Sequence, residues 1–309
     1  MVDKNLFPYN LSIVTIMKGE APYVKEWLDY HLLAGVDHFF IYDNESPDNL
    51  KEILQPYIDA GIVTYIFYPG KCRQMESYID AAKKFRFLSR YIAWIDADEF
   101  IFPKSKSTIV EVVDEIFSAY PQASGLSVNL HAYGSNGQDT ADYNRGVLER
   151  FTRRAGNDWT PPVSWAPSVK GGTATVKSIV NPRRVKLFTH PHAPNYFDTC
   201  SAINENGNAV QGFSSFPVST EKIVMNHYTV KSKEEYANKV QRGNADWEDN
   251  RYSMNNFSHD KYNDEFDDGI LKYRDARQSA LLQNGGVLKL FFILNALTMY
   301  AFLTCWRKI

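Results

Sequence analysis

The sequence predicts an α/β fold: a mostly parallel central sheet with helices on both faces. Two observations carry this. Short apolar runs rich in β-branched residues alternate with helix-period segments over residues 11–95, in the order β-α-β-α-β-α-β. Such alternation implies parallel strands joined by right-handed crossovers. The fourth apolar run, residues 91–95, is followed at once by Asp96, Asp98 and Glu99. Open α/β sheets hold their ligands at such strand ends.

The elements follow in order. Residues 11–17 read as a buried strand. Pro22 opens a helix with Val24, Trp27, Leu28 and His31 at helical spacing, and Gly35 closes it. His31 reads as a helix-face histidine, not a ligand. Residues 36–42 form a second strand. Ser46 is the expected cap of the next helix, which Gly61 ends. Residues 62–68 form a third strand, and a helix is expected over 73–90 before the fourth. Beyond it, a helix over 109–120 and a fifth strand over 125–130 are expected. Residues 132–175 read as irregular, a sign of a functional segment. Trp159 and Trp165 in it suit either stacking on a sugar or packing the loop down. Short strands are expected at 176–180, 185–189 and 222–226. Ser232 and Glu235 make a capping box for a helix ending at Gly243. His227 therefore falls at a strand end, just before a turn. The acidic run 260–268 lacks the spacing of a calcium loop and reads as surface. A helix is expected over 270–282.

Bulk properties exclude some classes. Over 309 residues the net charge is −2, with 44% hydrophobic and 23% charged residues. Nothing here suggests a nucleic-acid binder. Cys72, Cys200 and Cys305 have no metal-type spacing, and a reducing compartment fits them best. No Gly-x-Gly-x-x-Gly follows the first strand and no Gly-Lys-Ser/Thr loop occurs, which disfavours dinucleotide enzymes and P-loop NTPases. No apolar leader is seen at the N-terminus. Residues 287–306 carry a single charge, Lys289, and Arg307-Lys308 follow. This tail suits a packed helix, a membrane-surface helix or a single span.

Three acids inside an apolar run are costly to bury unless something pairs with them. Asp96 and Asp98 are two apart, so in extended chain they point the same way. Oxygen ligands suit Mg²⁺ or Mn²⁺, which keep positions open for water or phosphate. The pattern therefore reads as a metal–diphosphate site.

Several motifs occur together: residues 14–20 (VTIMKGE), 26–31 (EWLDYH), 35–44 (GVDHFFIYDN), 94–100 (WIDADEF), 177–182 (KSIVNP), Pro191-His192, and Asn226-His-Tyr-x-x-Lys-Ser232. In this order they resemble glycosyltransferase family 92 and its bacterial relatives, over residues 10–247. The resemblance implies a GT-A fold over residues 1–255, with 256–309 as a C-terminal extension. It implies an Asp-x-Asp that holds Mn²⁺ or Mg²⁺ on a nucleotide-sugar diphosphate. It further implies inverting transfer, with galactose from UDP-galactose the best-known case. Carried over by position, Asp96 and Asp98 are the metal motif, with Asp98 ahead as direct ligand. His227 is a further ligand and Lys231 a diphosphate contact. Thr15, Lys18, Glu20, Asp43 and Asn44 line the uridine site, and Arg73, Gln74 and Lys177 reach the donor. Gly19 departs from the family, which has Asn there. This puts the first loop's contacts in question, not the class.

An inverting enzyme needs a general base near the acceptor hydroxyl. Glu149, Glu205 and Asp246 are the candidates, and the sequence does not choose among them. The expected partners are a UDP-sugar donor, a glycan or glycolipid acceptor and, through the tail, a membrane surface. The expected location is cytoplasmic, at the inner face of the membrane, in surface-polysaccharide synthesis. Two competing readings are a metal-dependent phosphohydrolase or nucleotidyltransferase, and a non-catalytic carbohydrate-binding protein on the same fold.

Overall fold

The computed structural model describes residues 6–156, 174–197, 201–245 and 252–273. Its strands are β1 (Tyr9–Met17), β2 (His38–Asp43), β3 (Val63–Phe67), β4 (Ser89–Trp94), β5 (Glu99–Pro103), β6 (Gly125–Ala132) and β7 (Arg153–Arg154). They continue as β8 (Val176–Val180), β9 (Val185–His190), β10 (Ala193–Tyr196), β11 (Ala202–Ile203), β12 (Ala209–Val210), β13 (Ile223–His227) and β14 (Glu265–Phe266). The helices are α1 (Ala21–Leu33), α2 (Leu50–Asp59), α3 (Gln74–Phe85), α4 (Ile109–Ala119), α5 (Val147–Arg150) and α6 (Lys233–Arg242).

Ten strands form one sheet, in the order β12-β11-β6-β8-β4-β1-β2-β3, with β13 joined to both β6 and β5. The first four strands run parallel, as their alternation with helices requires. β8 is reversed and pairs antiparallel with β4 and β6. β13 then runs parallel to β6 and antiparallel to β5. The sheet is therefore mostly parallel in its first half and mixed in its second.

Side-chain alternation explains why the central strands read as unbroken apolar runs. On β1, Leu11 and Ile13 join a core that includes Trp27 of α1, Leu54 of α2 and Val113 of α4. Val14 and Ile16 face the other side, against Tyr78, Ala81 and Ala82 of α3. Both faces are covered, so both phases of the strand must be apolar. Each large apolar side chain buried in this way contributes roughly 1.5–3 kcal/mol. Gly35 ends α1 at φ +96, and a Cβ there would sit 2.9 Å from Thr108 Cβ at the start of α4. A side chain is excluded on both counts.

Several boundaries differ from the sequence expectation. α3 stops at Phe85, because β4 already begins at Ser89 beside β1. Residues 99–103 form a strand of their own, since pairing with β13 supplies their backbone partners. Ser46 does not cap α2. Its backbone N–H is held by Asp43 Oδ1 at 2.9 Å and its hydroxyl accepts from Gly19 N at 3.1 Å, and α2 begins only at Leu50. The capping box of Ser232 and Glu235 forms as expected. His31 is wholly buried, with Nδ1 donating to Trp27 O at 2.8 Å and Nε2 accepting from Ile101 N at 3.3 Å. It ties α1 to β5.

The segment after residue 255 is described to residue 273 and lies against the main body. Phe266 pairs with Arg153, and the Tyr273 hydroxyl donates to Ser107 O at 2.6 Å. Trp159, Trp165, Asp246, most of the helix expected over 270–282 and the apolar tail 287–309 lie outside the described residues. Among the described residues, no helix is long and apolar enough to cross a membrane.

Candidate active site

Asp96 and Asp98 are not in extended chain. β4 ends at Trp94, and the two acids sit in the tight turn before β5, where Glu99 N donates to Asp96 O at 3.1 Å. The turn gives each acid its own set of partners. Asp96 Oδ1 accepts from Gln74 Nε2 at 2.8 Å and Tyr78 OH at 3.2 Å, while Oδ2 accepts from Lys177 Nζ at 2.8 Å. Asp98 Oδ2 accepts from Lys239 Nζ at 2.8 Å, and its Oδ1 lies 3.4 Å from His227 Nε2. The expectation that both carboxylates point the same way is corrected by this turn.

Glu99 completes the acidic group from below. It is wholly buried, and its Oε2 accepts from Asp96 N at 2.8 Å and faces Lys177 Nζ at 3.3 Å. Its Oε1 has no hydrogen-bond partner among the described residues and lies 4.0 Å from His227 Nδ1. Burial pushes the Glu99 carboxyl up to about 7, aided by the Asp96 charge and opposed by Lys177. Burial also disfavours the charges of Asp96 and Asp98, yet both stay below the ordinary carboxylate value: Lys177 outweighs burial at Asp96, and Lys239 with His227 does so at Asp98. Lys177 is itself fully buried, and its acids hold it well above the usual lysine value.

A cleft of about 580 Å³ opens beside this group, lined among others by Lys18, Glu20, Tyr23, Lys231, Lys239 and Arg242. It lies between the loop after β1, the turn after β13 and helix α6. Arg242 donates to Lys18 O at 2.8 Å and to the Glu20 carboxylate. Lys231 follows β13 with φ 55, a left-handed conformation that neighbours must enforce on a non-glycine residue. Its ammonium lies 4.5 Å from the centre of the Tyr23 ring, and the Tyr23 hydroxyl donates to Glu235 Oε1 at 2.9 Å. Burial lowers the Lys231 ammonium below the usual lysine value, although Glu20 and Asp98 pull it back. Among the described residues Lys231 has no ion-pair partner, so its charge is available to an anion in the cleft.

The expected site residues thus divide. Lys18, Glu20 and Lys231 line the cleft; Asp98, with His227 beside it, is joined to it through Lys239, while Asp96, Gln74 and Lys177 form a hydrogen-bonded group around the acidic turn. Thr15 is wholly buried inside β1. Asp43 is held by Ser46 N and by the Tyr65 hydroxyl at 2.6 Å. Asn44 donates to Tyr68 O at 2.9 Å and Gly70 O at 2.7 Å, so these two residues shape their loop. Arg73 turns to Glu76 and to Pro69 O instead of the donor side. Glu149 forms an exposed ion pair with Arg145 at 3.0 Å. Glu205 is buried and accepts from Ser219 Oγ and from the backbone N–H groups of Glu221, Lys222 and Ile223. It braces the entry to β13. Lys239 and Arg242 were not among the sequence candidates. Their spacing of three on a capped helix that begins two residues beyond Lys231 is the signal that could have found them.

Whether the site suits a divalent cation follows from these contacts. Both Asp96 oxygens are taken by protein donors, so Asp96 does not fit as a direct ligand. Asp98 Oδ1 and His227 Nε2 face one another at 3.4 Å, and Glu99 Oε1 lies 4.0 Å from the other imidazole nitrogen. Among the described residues, no group of three or more His, Cys, Asp or Glu is arranged to hold a metal alone. Two protein ligands, completed by phosphate oxygens and water, suit Mg²⁺ or Mn²⁺.

A mostly parallel α/β sheet with an acidic turn at the end of its fourth strand and a cation-lined cleft beside it is the architecture of the GT-A fold class. Residues 14–269 match the family model of glycosyltransferase family 92, and the chain belongs to that family. A glycosyltransferase family 92 protein of Oryza sativa subsp. japonica is 24% identical over 246 residues, covering 78% of this chain and 37% of that protein. A galactan beta-1,4-galactosyltransferase of Arabidopsis thaliana is 27% identical over 101 residues, covering 29% of this chain and 19% of that protein. The chain therefore spans well under half the length of these relatives. Among solved structures, S. aureus TarS 1-349 matches with a TM-score of 0.41 at 12% identity, over 71% of this chain and 60% of that one.

Proposed function

We propose that the chain is a metal-dependent, inverting glycosyltransferase that moves a sugar, with galactose as the first choice, from a UDP-sugar to a glycan or glycolipid acceptor. The observation that carries this reading is that Asp98, paired with His227, also holds Lys239, which lines the same cleft as Lys231. Galactose is favoured by the name of the Arabidopsis relative.

In the reaction, the acceptor oxygen attacks the anomeric carbon. The bond from that carbon to the β-phosphate oxygen breaks, and UDP leaves with the electron pair. The acceptor proton passes to a base. Lys231 donates to a diphosphate oxygen and stabilises the charge that develops there. Asp98 and His227 would hold Mn²⁺ or Mg²⁺, which supplies Lewis-acid neutralisation of the leaving group. Lys177 bridges Asp96 and Glu99 and holds the acidic turn compact beneath the site. Glu149 and Glu205 are committed elsewhere, so Asp246 is the base candidate that stands, outside the described residues.

Product analysis tests the proposal. The protein is incubated with UDP-galactose, Mn²⁺ and a mixture of oligosaccharides. The expected products are UDP and a galactosylated acceptor. Release of inorganic phosphate or pyrophosphate without sugar transfer would overturn the reading in favour of a phosphohydrolase or nucleotidyltransferase.

A further inference from the structure

Lys239 sits where a cation for Asp98 would be expected, yet it also borders the cleft. Its ammonium is 2.8 Å from Asp98 Oδ2, 3.2 Å from Thr229 O and 3.4 Å from Thr229 Oγ1, and its side chain is 10% exposed. We propose that Lys239 is the resident counter-ion of Asp98 and makes cation binding conditional on the donor diphosphate. This rests on the reading of Asp98 and His227 as a cation site.

The argument is one of charge. A divalent ion at Asp98 Oδ1 and His227 Nε2 brings two positive charges beside an ammonium already paired to the same carboxylate. The ammonium is nearly buried, so water cannot take over its solvation. Its other partners, the Thr229 carbonyl and hydroxyl and the Tyr252 ring 5.0 Å away, carry no formal charge. Glu20, an acid of the same cleft, is already joined to Arg242. Displaced from Asp98, Lys239 therefore needs an anion that arrives with the ligand, and a diphosphate in the cleft supplies one. Cation and nucleotide then favour each other's binding, and linkage makes the effect equal in both directions. Lys239 is a positioning residue in this scheme. It passes from Asp98 to the diphosphate as the cation enters.

The test is Mn²⁺ titration of the full chain, followed by the electron paramagnetic resonance signal of free Mn²⁺, with and without UDP. In the unaltered protein, UDP is expected to tighten Mn²⁺ binding at least tenfold. Lys239→Gln is expected to bind Mn²⁺ at least tenfold more tightly than the unaltered protein without UDP, and to gain correspondingly less from UDP than the unaltered protein does. Lys239→Arg keeps the charge and is expected to behave as the unaltered protein. Equal Mn²⁺ affinity in Lys239→Gln and the unaltered protein without UDP would overturn the proposal while leaving the cation site standing. Should Lys239→Gln fail to fold, the unaltered protein decides, because Mn²⁺ binding that UDP does not strengthen overturns the coupling. No Mn²⁺ binding by any of the three proteins, with or without UDP, would overturn both the coupling and the cation site.

Discussion

The Lys177 ammonium lies 2.8 Å from Asp96 Oδ2, and no part of its side chain reaches solvent. Glu99 shares the same ammonium at 3.3 Å. One buried cation from β8 therefore holds the acidic turn after β4 in place. β8 runs antiparallel between β4 and β6, and this register brings its second residue beside the turn that follows β4.

Lys177→Met should leave two carboxylates facing an apolar side chain. Breaking a buried pair by removing one partner costs about 3–5 kcal/mol, and water reaching Asp96 places this case near the lower end. Urea denaturation of the variant is expected to show a loss of roughly 3 kcal/mol. A loss below about 1 kcal/mol, the range of an exposed ion pair, would mean that the acids are solvated in the folded protein.

Lys231→Met tests the cleft directly. A hydrogen bond to a charged group contributes roughly 1.5–3 kcal/mol, so UDP affinity should fall about tenfold to a hundredfold while the melting temperature changes little. Unchanged UDP affinity would remove Lys231 from the diphosphate contacts.

Arg150 and Glu235 form a two-point ion pair at 2.9 and 2.7 Å, with both side chains 1% exposed. The same Glu235 closes the α6 capping box and accepts from Tyr23, so it links the helix that carries Lys239 and Arg242 to the body of the protein. Glu235→Gln should destabilise the fold by about 3–5 kcal/mol, because Arg150 is left as an uncompensated buried charge. Thermal or urea denaturation measures it, and a change under 1 kcal/mol would contradict the role.

The buried histidines give a pH dependence with a definite sign. Burial lowers His31 to about 3 and His38 to about 4, so both stay neutral in the fold at mildly acid pH. The unfolded chain protonates them near 6.5. Below that value the unfolded state binds more protons, so stability falls as pH falls, by up to about 1.4 kcal/mol per unit for each histidine until its folded value is reached. Urea midpoints measured from pH 7 to pH 4.5 should decline, and His31→Asn should flatten part of the slope. A slope that His31→Asn leaves unchanged would mean that His31 titrates alike in the folded and unfolded chain.

Much of this was legible in the sequence. The first four strands and the helices between them announce themselves by period, and the acids at a strand end by their cost of burial. The capping box of Ser232 and Glu235 is a local signal, and local signals survive folding. Long-range pairing is not legible in this way. Nothing near residue 99 shows that β13 will make 99–103 a strand, or that Lys177, 81 positions away from Asp96, will lie against it. Glu205 fails as a base candidate for the same reason: the backbone N–H groups that saturate it belong to a segment 16–18 residues away. The tight turn that separates Asp96 from Asp98 was hidden by the apolar character on both sides of it.

The most direct test of the donor site is calorimetric titration of UDP into the unaltered protein and Asp98→Asn, each with and without Mn²⁺. The unaltered protein is expected to bind UDP more tightly with Mn²⁺, and Asp98→Asn to lose that increment while keeping the metal-free binding that Lys231 supports. UDP binding that is the same with and without Mn²⁺, and the same in both proteins, would contradict the account of Asp98.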